Sequence, residues 1–166
     1  GNTSFYLVRH SIFLIVGIIA VYVTHRIPYK AFFGTATFII IAAFVLMLIT
    51  WIFGSSKNEA TRWITIPVIN VDFQSSDFAK FALIIFIAKI LSISQKNEEQ
   101  LKKAFIIILG TTLLLCGIIV PSDFSTAGLL FVTALLLMFI GRINKKYLLI
   151  TVGVAIVAFG LLVGII

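Results

Sequence analysis

Long apolar runs alternate with short polar segments along the whole chain. Each run holds roughly 16–22 residues, which at ~1.5 Å of rise per helical residue is about enough to cross ~30 Å of hydrocarbon. The pattern therefore predicts an all-α fold, a polytopic transmembrane helical bundle with about six membrane-spanning helices in a single domain, 1–166. The predicted helices cover residues 7–23, 32–53, 78–93, 105–120, 124–140 and 147–166.

The longest segment that cannot be buried in lipid is residues 62–80, between the second and third runs. Its polar side chains and its aromatic edge are Arg62, Trp63, Asp72, Gln74, Ser75, Ser76, Asp77 and Lys80. Lys80 differs from the others because it lies beyond the start of the third apolar run. An ionisable group at that depth is costly, so we expect it to have a partner and a function.

Composition agrees with the apolar pattern and excludes a soluble protein. The chain is 61% hydrophobic and 11% charged, more apolar than a soluble chain of 166 residues can bury. The net charge of +7 comes from residues in short polar segments between apolar runs, which indicates topology and not a nucleic-acid partner. Cys116 is the one cysteine, so the sequence shows neither a disulfide framework nor metal-ligand spacing.

Basic residues divide unequally between alternate polar segments. One set of segments carries nine and the other carries four, offset there by four acids. By the positive-inside rule, residues 25–30, 94–103 and 141–146 are predicted to be cytoplasmic. Residues 62–80 and the turn 121–123 then share the outer face, where they can converge. The nine are Arg26, Lys30, Lys89, Lys96, Lys102, Lys103, Arg142, Lys145 and Lys146, and the four are Arg9, Lys57, Arg62 and Lys80.

Ser76, Asp77 and Lys80 form the first candidate constellation. Helical spacing of three and four residues places them on one face of the third helix. One interpretation is a topological anchor, in which Asp77 favours the helix dipole and Lys80 extends towards water. The other is a cationic pocket for an anionic head group, with Arg62 supplying a second donor. Spacing leaves both interpretations open.

Asp123 and Thr126 form the second constellation, at the start of the fifth helix. Ser122 and Asp123 are both residue types that cap helix N-termini well. From spacing alone, capping is the favoured interpretation of this turn.

Sequence motifs then resemble those of a known family. Phe5-Tyr6-Leu7 followed by Arg9-His10, HRIPY at 25–29 and ATRWI at 60–64 stand in the order found in the SEDS proteins of bacterial wall synthesis, nearest to the FtsW branch. FQSSDFAK at 73–80 is similar to the family's FQPSELAK, and SDFSTA at 122–127 is similar to its PDxGTA. The departures include Ser75 for Pro, Asp77 for Glu and Ser125 for Gly.

The resemblance implies a peptidoglycan glycosyltransferase that polymerises lipid II at the outer face of the bacterial cytoplasmic membrane during cell division. It implies a ten-helix protein of which this chain covers the second to the seventh helix. The catalytic carboxylate is then expected beyond Ile166, and no catalytic residue is assigned within the chain. The expected substrate-binding residues are Arg62, Gln74, Ser76, Asp77, Lys80, Asp123 and Thr126.

The expected partners are lipid II, a class B penicillin-binding protein acting as transpeptidase, and other membrane proteins of cell division, with no nucleic acid. No metal site is assigned. The cofactor stays open, because a divalent cation fits such chemistry but no ligand set is visible in the sequence.

Two alternatives to the polymerase remain open. A transporter of a lipid-linked sugar would also need an intramembrane cation, together with inverted repeats and broken helices. A non-catalytic scaffold that recruits a transpeptidase would tolerate neutral polar groups in place of Lys80 and Arg62. A division role and an elongation role are also not distinguished by the sequence.

Overall fold

The computed structural model describes the backbone of residues 3–53, 55–57, 60–66 and 71–165. The side chains of residues 1–5, 9, 53–73, 159 and 161–166 lie outside the described part. Within these limits the chain forms six helices and three short strands. The helices are α1 (Thr3–Arg26), α2 (Tyr29–Phe53), α3 (Ser75–Ser94), α4 (Glu98–Ile119), α5 (Phe124–Ile140) and α6 (Lys145–Ile165).

The predicted all-α helical bundle is confirmed, with differences at the helix ends. Among the described residues, Tyr6–Arg26, Tyr29–Ile52 and Glu98–Ile119 are long and apolar enough to cross a membrane, and Phe124–Ile140 is a shorter apolar helix. The largest difference is at α4, which begins at Glu98 and not at residue 105. In its polar first turns the Glu99 carboxylate lies 2.9 Å from Lys103 Nζ, an i,i+4 pair that favours the helix slightly.

A small antiparallel sheet lies in the segment that the sequence suggested to be a polar loop. Its strands are β1 (Ser55–Lys57), β2 (Ala60–Ile66) and β3 (Val71–Gln74), in the order β1-β2-β3. In β2 and β3 the register pairs Trp63 with Gln74 and Ile66 with Val71. The sequence ATRWITI of β2 is rich in the β-branched and aromatic residues that favour strands.

The chain divides into two compact units, residues 1–35 and residues 36–166, where the sequence had suggested one domain. In the first unit, every α1 side chain that the structure describes is exposed. Near the end of α1, Arg26 Nη2 donates a 2.8 Å hydrogen bond to the Tyr22 hydroxyl and lies over its ring.

The core of the second unit lies among α3, α4 and α5, which pack against one another. Small buried residues, such as Ala79, Ala82 and Ala127, allow the helices to approach closely, as membrane helices do. Leucine and isoleucine side chains fill the remaining interior. The α2 helix contributes one buried stripe, Ala36, Ile40, Ala43, Met47 and Thr50, while most of its large apolar residues face outward.

Short connections at both ends of α4 make α3 and α5 run in the same direction, each antiparallel to α4. The C-terminal ends of α3 and α5 are joined directly, because Gln95 Nε2 donates a 3.0 Å hydrogen bond to the Gly141 carbonyl. A β-carbon on Gly141 would lie 2.6 Å from Leu91 Cδ1, so any larger residue there would require the Leu91 side chain to shift. We call the end where α3 and α5 begin the site end, and the opposite end the basic end.

Candidate substrate-binding site

The site end is built where β3 leads directly into α3. Gln74 is the last residue of β3 and the N-cap residue of α3, with extended backbone angles of φ −92° and ψ 108°. Its side chain reaches forward, and Nε2 donates a 2.9 Å hydrogen bond to Ser76 Oγ. Two of the predicted site residues, Gln74 and Ser76, are therefore in contact.

Ser75 and Ser76 are fully buried in the first turn of α3. Ser76 is satisfied by Gln74, but Ser75 Oγ has no hydrogen-bond partner among the described residues. A buried hydroxyl without a partner costs about 1–3 kcal/mol. The sequence identifies Ser75 only as a polar residue that departs from the family motif. No sequence signal predicts that its hydroxyl is buried and has no hydrogen-bond partner among the described residues.

Lys80 and Asp77 form an ion pair, with 2.6 Å between Lys80 Nζ and Asp77 Oδ1. The Lys80 side chain is 28% exposed and that of Asp77 is 60% exposed. The i,i+3 spacing correctly placed these two groups together. Ser76 is on the same helix turn but bonds to Gln74, so Asp77 is the residue that orients the Lys80 ammonium.

The sheet brings the backbone of Arg62 next to this turn. Trp63 is paired with Gln74, and Arg62 is its neighbour on β2, a strand that contacts α3. Paired strands lie ~5 Å apart, so the Arg62 backbone is close to the start of α3. The Arg62 side chain lies outside the described residues, and its predicted role as a second donor stays a prediction.

Asp123 caps the N-terminus of α5, as the sequence suggested for this turn. Its Oδ1 accepts a 3.0 Å hydrogen bond from the Thr126 backbone N–H, and its Oδ2 accepts one from the Thr126 hydroxyl. Ser122 does not cap, since its hydroxyl donates back to the Ile119 carbonyl at 2.9 Å. Asp123 and Thr126 are therefore in contact, with both carboxylate oxygens of Asp123 accepting hydrogen bonds.

The two first turns lie at the same level of the bundle. Asp77 and Asp123 each precede the Gln95–Gly141 contact by about 18 residues, which is ~27 Å along a helix axis. Lys80 and Thr126 lie ~4–5 Å deeper, again at equal levels. Two helix N-termini therefore open at this end, and their dipoles favour an anion.

Cys116 fixes the α4–α5 connection below this end. Its thiol lies 3.4 Å from the Ala127 carbonyl oxygen and so connects α4 with α5. The number of cysteines in the sequence could not predict this contact. No group of three or more His, Cys, Asp and Glu residues in the described part of the chain is arranged to hold a metal ion. The identity of any cofactor stays open.

The fold and the site together define the class of protein: a polytopic helical membrane protein with a small cationic site at the starts of two parallel helices. The family model described as cell cycle protein, FtsW/RodA/SpoVE, matches residues 1–165. The chain belongs to the FtsW/RodA/SpoVE family, and the predicted family membership is confirmed.

Curated relatives agree with this assignment. The chain is 29% identical to the probable peptidoglycan glycosyltransferase FtsW of Pseudoalteromonas translucida, over 98% of this chain and 41% of the relative. It is 28% identical to the protein of the same description from Pseudomonas fluorescens, over 98% of this chain and 40% of the relative. The chain thus spans about two fifths of the length of these relatives.

Solved structures share the fold. The rod shape determining protein RodA of Thermus thermophilus superposes with a TM-score of 0.76 at 22% identity, over 94% of this chain and 50% of that chain. A chain from a structure described as coordinating polymerization and crosslinking in a peptidoglycan synthase complex gives 0.76 at 22% identity, over 95% and 44%. At this identity the likeness shows the fold alone.

Proposed function

We propose that the whole protein is a peptidoglycan glycosyltransferase of bacterial cell division, which polymerises lipid II into glycan strands at the outer face of the cytoplasmic membrane. Membership of the FtsW/RodA/SpoVE family supports this proposal, as do the relatives described as probable peptidoglycan glycosyltransferases. The basic end of the bundle is then cytoplasmic, and the site end faces outward.

One observation carries the proposal at the level of chemistry. Lys80 lies in the second turn of α3, about one quarter exposed, with its ammonium held by Asp77. A departing lipid pyrophosphate is anionic, and a positioned cation at the membrane surface stabilises it. Because the Lys80 side chain is itself 28% exposed, a phosphate oxygen can reach its ammonium from the water side.

The remaining proposed substrate contacts surround this ion pair. Gln74 and Ser76 support the turn that carries Lys80, and the β2 backbone brings Arg62 close to it. Asp123 and Thr126 shape the neighbouring first turn of α5.

The described acids at the site end are poor candidates for the general base. Asp77 is engaged by Lys80, and Asp123 accepts two hydrogen bonds as the α5 cap. Glycosyl transfer needs a group that takes the acceptor proton. We therefore assign residues 74–80 to binding, and we propose, as the family resemblance implies, that the catalytic carboxylate lies beyond residues 1–166.

The proposed partner is a class B penicillin-binding protein that crosslinks the new strands, within an assembly of other division membrane proteins and without nucleic acid. The likeness of this fold to a chain of a peptidoglycan synthase complex supports a transpeptidase partner.

The test uses the full-length protein with its transpeptidase partner, purified lipid II and a gel assay of glycan strands. Lys80→Met keeps side-chain length but removes the charge, and the loss of a charge-assisted hydrogen bond of ~1.5–3 kcal/mol lowers the polymerisation rate roughly ten- to hundredfold. Lys80→Arg, which retains the charge, should recover part of the rate. Lys96→Met is the matched control, because Lys96 is exposed just beyond the other end of α3.

A parent-like rate for Lys80→Met would refute the binding role and favour a scaffold that only recruits the transpeptidase. Loss of the protein from the membrane would instead make Lys80 a structural anchor. Lipid II transport across vesicles without any glycan product would favour the transporter.

A further inference from the structure

A polar cavity of about 330 Å³ lies at the basic end, between the start of α4 and the α5–α6 turn. Two cations line it, Lys102 from α4 and Arg142 from the turn, beside Asn144 and Tyr147. In the described part of the chain neither cation forms an ion pair. The cavity also contains Glu98 and Glu99, of which Glu99 is already paired with Lys103.

An apolar groove of about 400 Å³ lies next to this cavity, lined by residues of α4, α5 and α6. Tyr147 lines both spaces, and its ring stacks on Phe105 at a centroid distance of 5.5 Å. From there the groove follows α4 to Leu113 and α6 to Ala158. The α4 stretch from Phe105 to Leu113 rises ~12 Å, and the α6 stretch from Tyr147 to Ala158 rises ~16 Å. A polar chamber therefore leads into a long apolar slot.

Arg142 is held in the polar chamber by an unusual backbone. Its φ of 61° is in the left-handed region, the one such non-glycine residue among those described. This is the position after a helix C-cap where glycine is favoured, and an L-residue there costs roughly 1 kcal/mol. The chain thus carries a cation at a position where its backbone would favour glycine.

The electrostatics at this end favour an anion. Glu98 and Glu99 oppose the two cations, but Glu99 is paired with Lys103. Both α4 and α6 begin beside the chamber, and the positive ends of their dipoles add to the charges of Lys102 and Arg142. Asn144 Oδ1 accepts a hydrogen bond from the Lys146 backbone N–H, which leaves its side-chain amide N–H groups as possible donors. A basic pocket between membrane helices is the kind of site that holds an anionic lipid head group.

We propose that this chamber and groove bind one anionic phospholipid of the leaflet at the basic end, with the phosphate near Lys102 and Arg142 and an acyl chain between α4 and α6. The charge of the chamber and its direct continuation into an apolar slot together favour a lipid over a free anion or another helix. This site is at the opposite end from Lys80 and does not depend on the proposed function.

The test measures lipid retention by native mass spectrometry of the full-length protein. The protein is equilibrated with equal amounts of dioleoylphosphatidylglycerol and dioleoylphosphatidylcholine. The parent should retain the anionic lipid preferentially. Lys102→Gln combined with Arg142→Gly should lower that retention roughly tenfold or more, because two cationic contacts are lost. Lys96→Gln combined with Lys146→Gln removes the same charge outside the chamber and should leave retention unchanged.

A thermal unfolding measurement in lipid-free detergent separates binding from folding. Arg142→Gly relieves the left-handed backbone, so its melting temperature should equal or exceed that of the parent while lipid retention falls. Ala155→Phe fills the groove without changing charge and should lower retention with the chamber intact. Inorganic phosphate should not displace the lipid.

Several results would overturn the proposal. Equal retention by the double variant and the parent, or an equal loss in the control, would show that the chamber does not recognise the lipid. Equal retention of the zwitterionic lipid would show that the charge of the head group does not decide which lipid binds. No retained lipid at all would mean that another part of the protein fills the groove, and displacement by phosphate would identify a free-anion site.

Discussion

The two lysines of α3 show how one residue type is used differently at two levels of one helix. Lys80 is paired with Asp77 on its own helix, whereas Lys89 donates a 2.9 Å hydrogen bond to the Thr37 hydroxyl of α2. They are nine residues apart, so they project from opposite faces of α3 with ~13 Å between their levels. Lys89 therefore links two helices, while Lys80 makes no described contact between helices.

This difference shows that depth alone does not identify a functional cation. Both lysines lie within the helical span, and hydropathy marks both as costly. The two lysines differ in their partners. A hydrogen bond to another helix indicates a packing role, whereas an ion pair within one exposed helix turn indicates a charge held in one orientation. The comparison predicts that substitution of Lys80 mainly changes activity, and that substitution of Lys89 mainly changes stability.

The largest expected effect on stability at the site end concerns Asp123. Asp123→Ala removes the acceptor of the Thr126 backbone N–H and should lower the free energy of unfolding by about 1–2 kcal/mol. The measurement is unfolding of the full-length protein in mixed micelles. Asp123→Ser is the matched control, since serine also caps a helix well.

A parent-like stability for Asp123→Ala would contradict the capping role. If Asp123→Ser kept the stability but lost lipid II polymerisation, the carboxylate would have a second role in binding substrate. The result therefore also tests whether the first turn of α5 belongs to the site or only supports it.

Helix positions could be predicted from the sequence where one dominant force sets them. The α5 bounds agree with the apolar run at 124–140, because lipid exposure selects the whole segment. The start of α4 could not be read from hydropathy, since its first turns are polar and an ion pair stabilises them. The small sheet was missed because its strands lie in a polar segment where the apolar-run criterion gives no signal.

The same reasoning applies to the sites. Spacing along one helix predicted the contacts of Asp77 with Lys80 and of Asp123 with Thr126, because both are local. It could not predict the buried Ser75 hydroxyl, whose environment depends on how α3 packs. The chamber at the basic end was also missed, since it needs the α5–α6 turn to lie beside the start of α4.

A smaller effect is expected from the α2–α3 link at the basic end. A double-mutant cycle with Lys89→Met and Thr37→Val should give a coupling of about 0.5–1.5 kcal/mol in the same unfolding assay. The cycle is needed because Lys89 makes a further contact, so the single substitution reports more than this pair. Zero coupling would show that the two side chains are not paired in solution. The contrast between Lys89, with a partner on another helix, and Lys80, with a partner on its own helix, would then no longer hold.

The smallest effect is expected at the start of α4, where Glu99 and Lys103 are 70–78% exposed. Water and salt screen such a pair, so Glu99→Gln should change the free energy of unfolding by only about 0.3–0.5 kcal/mol. The change should disappear in ~1 M salt, where the screening length falls to about 3 Å. A change above ~1 kcal/mol that persists in salt would mean that Glu99 is engaged inside the chamber. That outcome would also raise the negative charge facing Lys102 and Arg142, and so weaken the case for an anionic lipid there.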